Sequence, residues 1–161
     1  MDAPIYERFD TNAGFQTAVE RLLEQPGREL RVFDPDASAL RLNDGARIDR
    51  LTNFLLASRT RRIHLVVHDT DYLTRQCPRM LALLRRFSHA IQINQTHEEI
   101  RNVQDSFWLL DAVHYVRRPV AQLFHGAMGL GDENEGQALR GRFGEIWAAS
   151  FPAVSSTTVG L

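Results

Sequence analysis

Residues 54–93 read FLLASRTRRIHLVVHDTDYLTRQCPRMLALLRRFSHAIQI, and this stretch decides the fold. RIHLVVHD (Arg62 to Asp69) is a β-branched apolar run too short for a helix, so it reads as a buried strand. The spacing of Leu73, Met80, Leu81, Leu84 and Phe87 predicts one helix over about 71–88. IQINQT (Ile91 to Thr96) alternates and reads as another strand. Working upstream, Asp44-Gly45 opens a helix with Ile48, Leu51, Phe54 and Leu55 on its apolar side. ELRVFDPD (Glu29 to Asp36) is a short strand ending in a turn. Strand, helix, strand, helix, strand predicts right-handed crossovers and a largely parallel sheet.

Outside this unit the signals change. Phe15, Val19, Leu22 and Leu23 have helical spacing, with Thr11 or Asn12 as cap and Pro26-Gly27 as the stop. Residues 1–10 read as a loose lead-in. Downstream, SFWLLD and VHYVRR flank Ala112 and predict an antiparallel hairpin. AQLFHGAM reads as a strand or a loop. GLGDENEG breaks the chain before a last helix over about 137–150 that displays Leu139, Phe143, Ile146 and Trp147. The expected architecture is a three-layer α/β domain with a mixed, mainly parallel sheet flanked by helices. One domain spans 1–161: an N-terminal extension and helix (1–28), a core (29–151) and a flexible tail (152–161).

A chain of 161 residues, 43% hydrophobic and 24% charged, is long enough to bury a core without staples. A net charge of −1 argues against a broad face for nucleic acid or acidic membrane, so nucleic acid is not expected as a partner. All 19 basic residues are arginine, which removes every lysine-based chemistry: Schiff base, phosphate-loop lysine and lysine general base. Cys77 is the only cysteine, so no internal disulfide and no cysteine zinc site can form. No apolar signal core or membrane span is evident. These features lead to the expectation of a cytoplasmic, bacterial-style protein with no cofactor and no metal.

Open α/β sheets carry ligands at the rim where strands end. Here that rim displays Asp34 and Asp36, His68 and Asp69, and Asn94 to Thr96. The competing reading is that these residues cap helices and shape turns. His64 and His68 share one face of a strand with Val66, but a metal needs a third ligand, and Asp69 points to the other face. No Ser-His-Asp order, glycine-rich phosphate loop or paired-carboxylate motif is present, and HEEIR at His97 lacks the second histidine of a zinc-protease helix.

The order of elements and the quoted stretch resemble one half of a phospholipase D-like domain, over about Leu30 to Ser150. That family places His-x-Lys-x-x-x-x-Asp on the strand that follows. The matching segment here is QDSFWLLD, with Gln104 at the histidine position, Ser106 at the lysine position and Asp111 at the aspartate. The small polar residues of the family's next strand are replaced by Arg117 and Arg118. The resemblance implies that histidine attacks phosphorus, that lysine holds the phosphoryl oxygens and that the aspartate is largely structural. Glutamine and serine supply neither function. It also implies similar motif-lacking domains in bacteria, some fused to acetyltransferase-type domains.

Three functions follow as expectations. The leading one is a non-catalytic phospholipase D-like domain that binds a protein or an anion. Alternatives are a phosphodiesterase with a relocated nucleophile, His97 or His114, and an unrelated α/β anion- or nucleotide-binding module. Arg117 and Arg118 are the candidate anion-binding residues, and strand alternation lets only one of them face each side of the sheet. The resemblance also implies a homodimer. Phe107, Trp108, Leu109 and Tyr115 are more than a lone hairpin hides, so either a second copy or the terminal helix must cover them.

Overall fold

The computed structural model describes residues 3–155. In chain order these form β1 (Ile5–Phe9), α1 (Asn12–Leu23), β2 (Glu29–Phe33), α2 (Gly45–Leu56), β3 (Arg62–Val67), α3 (Asp71–Gln76), α4 (Pro78–Arg86) and β4 (Ile91–Thr96). A 3₁₀ turn at Glu98–Ile100 leads to β5 (Ser106–Leu110), β6 (His114–Arg118), β7 (Gly126–Leu130), α5 (Glu133–Ala148) and β8 (Ser150–Val154). The strands make one sheet in the order β1-β7-β6-β5-β2-β3-β4-β8.

The α/β class and the mixed sheet flanked by helices are as expected. The expectation of a mainly parallel sheet is corrected. Only β2–β3 and β3–β4 are parallel, and the other five pairings are antiparallel. The parallel pairs are the ones joined by helical crossovers; β5, β6 and β7 each follow a turn or loop, and β8 follows α5 back to the edge of β4.

Three local readings are also corrected. The lead-in contains a strand, β1, which pairs with β7. Pro152–Val154, expected in the flexible tail, belong to β8 on the edge of β4, while residues 156–161 lie outside the described residues. The single helix over 71–88 is two helices, because Pro78 cannot donate to the helical ladder and disfavours helical backbone at Cys77 (φ −123°, ψ 57°).

Alternation along the strands divides the core. One face of the sheet, with Val32, Leu65, Trp108, Val116 and Met128, packs under α1 to α4. The other, with Phe33, Val66, Phe107, Leu109 and Tyr115, packs under Leu139, Phe143 and Ile146 of α5. Phe107, Trp108, Leu109 and Tyr115 are therefore buried within the chain, and no second copy is needed to cover them.

The hairpin is tight. Asp111 and Ala112 both take left-handed backbone (φ 55° and 57°), Val113 N–H donates to Leu110 O at 3.2 Å, and the three residues Asp111 to Val113 separate the paired Leu110 and His114. The Asp111 carboxylate anchors it by accepting from the backbone N–H groups of Arg28 and Glu29 at 3.0 and 2.9 Å. Gly136 lets α5 approach the turn, since a Cβ there would lie 1.9 Å from Ala112 O.

Candidate functional site

Parallel β2 and β3 end at the same rim where antiparallel β5 begins and β6 ends. The register sets Phe33 opposite Phe107 and Ser106 opposite Arg118, bringing Asp34, Ser106 and Arg118 together. Arg118 Nη2 donates to Asp34 Oδ1 at 2.8 Å and to Ser106 Oγ at 3.2 Å, and its Nη1 donates to Ala121 O at 2.6 Å. The guanidinium lies 4.4 Å from the Phe15 ring centre. Arg118 is 1% exposed and Asp34 2%. The other Asp34 oxygen accepts from Ala37 N at 2.7 Å and Asp36 N at 3.2 Å. Burial pushes the Asp34 carboxyl above its ordinary range, with Ser106 and Arg118 acting against that push. Burial likewise lowers the Arg118 guanidinium, opposed by Asp34. The guanidinium beside Ser106 is thus already engaged by Asp34.

His68 enters the same rim from β3. Its Nε2 lies 2.5 Å from Val103 O and its Nδ1 2.6 Å from Thr96 Oγ1. A carbonyl only accepts, so Nε2 carries a proton and donates to Val103 O, while Nδ1 pairs with the threonine hydroxyl. Both ring nitrogens are occupied. His64, on the same face, packs against Trp147 of α5. Among the described residues no group of three His, Cys, Asp or Glu side chains could hold a metal ion.

The remaining rim residues serve the backbone. Asp36 accepts from Ser38 N and Oγ at 2.9 and 2.7 Å, and Asp69 accepts from Asp71 N at 2.8 Å at the start of α3. Asn94 donates to Ser150 Oγ at 2.8 Å, tying β4 to β8. Gln104 is exposed; it donates to Arg101 O at 2.7 Å and accepts from Gln122 at 2.8 Å, which fixes the β6–β7 loop. His97 is exposed at this rim and lies beside Phe151. His114 opens β6, opposite Leu110 and therefore at the far end of the hairpin from Ser106. At about 3.4 Å per residue that is roughly 14 Å away along the strand, too far to serve the positions of Gln104 and Ser106.

Arg117 takes the other face. Its Nη1 lies 3.3 Å from Glu135 Oε1, and among the described residues its buried Nε, like that of Arg118, has no partner. Here α5 leaves β7 and β1 uncovered, and a cleft of about 790 Å³ opens, lined by residues including Tyr6, Arg8, Tyr115, Arg117, His125 and Glu135. Sequence reasoning missed Tyr6, Arg8, His125 and Glu135. In IYERF the polar and apolar positions share both faces, so its strand character emerges only with β7 alongside.

The family model for a domain of unknown function, DUF7931, matches residues 11–156. The chain belongs to this family. In three dimensions the DUF7931 fold is phospholipase D-like. Nuc from Salmonella typhimurium, a phospholipase D family member, superposes with a TM-score of 0.63 at 11% identity, over 95% of this chain and 100% of that one. NucT from Helicobacter pylori gives 0.63 at 9% identity, over 94% and 100%. TrmBL2, an archaeal chromatin protein with a novel mode of DNA binding, gives 0.63 at 10% identity over 92% of this chain, which spans 55% of that protein's length. No curated protein matches the DUF7931 chain in sequence. No helix among its described residues is long and apolar enough to cross a membrane.

Proposed function

We propose that this chain is a non-catalytic phospholipase D-like domain that works by binding. The observation that carries the reading is the guanidinium of Arg118, held against Ser106 and Asp34 at the motif positions. The family's chemistry needs an imidazole nucleophile with a free nitrogen and a cation open to phosphoryl oxygens. At this rim the buried imidazole, His68, has both nitrogens engaged, and the buried cation is neutralised by Asp34.

The purified chain, with or without divalent metal, is expected to leave bis-p-nitrophenyl phosphate unhydrolysed. Turnover above background that disappears on His97→Ala would instead establish a phosphodiesterase with a relocated nucleophile. The paired change Gln104→His with Ser106→Lys is expected not to restore activity, because the introduced ammonium would be buried beside Arg118 and two like charges would share one carboxylate. Low net charge still speaks against a broad nucleic-acid face. Because one structural neighbour binds DNA, an oligonucleotide belongs among the test ligands.

A further inference from the structure

The cleft beside Arg117 is built by strand register. Ala127 of β7 sits between Arg8 of β1 and Arg117 of β6, and Gly129 sits between Tyr6 and Tyr115. Two rows thus cross the same three strands, one of paired arginines and one of paired tyrosines, separated by two residues or about 7 Å along the strand. The central strand contributes only a methyl group and a hydrogen. The Tyr115 ring lies over Gly129, where a Cβ would come within 2.3 Å of it. Tyr6 is 59% exposed and stands on the outer wall.

The charges in the cleft are poised for an anion. Among the described residues Arg8 forms no ion pair, and Arg117 is held only by the 3.3 Å contact to half-exposed Glu135, with its Nε unpartnered. His125 lines the arginine end, beyond Ala127. Arginine suits a phosphate because its donors form a planar fork. An exposed tyrosine next to a phosphate-binding row offers a platform for a flat ring, since aromatic side chains stack on any base. The carboxylates of Asp10 and Glu135, also in the lining, are acceptors for sugar hydroxyls. A volume of about 790 Å³ is of the size that encloses a small organic ligand.

We propose that this cleft is a mononucleotide site. The phosphate lies between Arg8 and Arg117, and the base lies against Tyr6. The inference deepens the reading of the chain as a binding domain. It concerns the face of the sheet opposite Ser106 and Arg118, so it does not depend on the fate of the motif.

The test is calorimetric titration of the full chain with AMP, inorganic phosphate and a short oligothymidylate. AMP is expected to bind more tightly than phosphate. Arg8→Gln and Arg117→Gln should each weaken AMP about tenfold or more. Tyr6→Ala should weaken AMP about tenfold and leave phosphate unchanged. All three side chains are exposed or line the open cleft, so the variants should keep the wild-type melting temperature. No AMP binding at millimolar concentration, or AMP binding indifferent to Arg8→Gln, overturns the site. Oligothymidylate bound far more tightly than AMP through the same residues overturns it in favour of a single strand. Phosphodiester turnover with AMP binding intact would sink only the non-catalytic reading. A silent titration without turnover would sink only the cleft.

Discussion

Arg117 and Arg118 are neighbours in sequence and opposite in circumstance. Arg118 points under α1 into a sealed ion pair with Asp34, stacked on Phe15. Arg117 points to the half of the sheet that α5 leaves bare and meets only half-exposed Glu135, at 3.3 Å. Among the described residues each arginine has a buried Nε without a partner, so the contrast lies in the burial and pairing of the rest of the guanidinium. One peptide bond separates a charge committed to architecture from a charge left available, and the pleat alone makes the choice. Counting basic residues therefore says little about a binding face until the strand's two sides are assigned.

The largest test of this contrast is on the sealed side. Arg118→Ala strands the buried Asp34 carboxylate and is expected to cost about 3–5 kcal/mol in urea unfolding. Replacing both partners, as in Asp34→Leu with Arg118→Met, should recover much of that loss, because desolvation weighs heavily on both groups. A loss well under about 1 kcal/mol for Arg118→Ala would erase the distinction between the two arginines. Arg117→Gln, by contrast, should change stability by no more than about 0.5 kcal/mol.

A smaller effect sharpens the cleft side. Gly129→Ala drives a methyl group into the Tyr115 ring and is expected to cost about 1–3 kcal/mol. If it costs nothing, the ring does not lie over β7. The smallest effect is alkaline. Burial, then Asp132, Glu135 and Tyr6, push the Tyr115 hydroxyl up to about 12. The native chain thus keeps its proton where the unfolded chain releases it near the ordinary value of 10.0, so this stability is complete below about pH 10 and fades toward pH 12. Tyr115→Phe should flatten the fall in urea midpoint across that window.

The elements with strong local signals were legible in the sequence. The β2-α2-β3 unit, the β4 strand and the β5–β6 hairpin all announce themselves through period and turn residues. The sequence narrows the first helix's cap to Thr11 or Asn12, and Thr11 takes it, while Asp44-Gly45 marks the opening of α2, which Asp44 caps. The two edge strands were not. IYERF has charge on both faces, and SFPAV carries a proline, which only an edge strand tolerates. Of the rim residues, Asp34 and His68 turn inward, whereas Asp36 and Asp69 bind local backbone; nothing in DPD or HDT distinguishes them, because the difference lies in which strand arrives alongside. The arginine and tyrosine rows were illegible for the same reason. They exist only through the register of β1, β7 and β6, three segments far apart in the chain.

That assembly has a consequence in time. β1 leaves the ribosome before the other strands of this sheet, yet its partner strand is not complete until Leu130 has been added. It joins the sheet through a single neighbour, and among the described residues its outer edge has no strand partner. Its amide hydrogens should accordingly exchange with solvent through local opening well before those of β2 and β3. The outer wall of the cleft cannot be placed until Leu130 has been added and opens readily at the sheet's edge, so an occupant bridging Arg8 to Arg117 would act as a late clasp and slow exchange selectively along Ile5–Phe9.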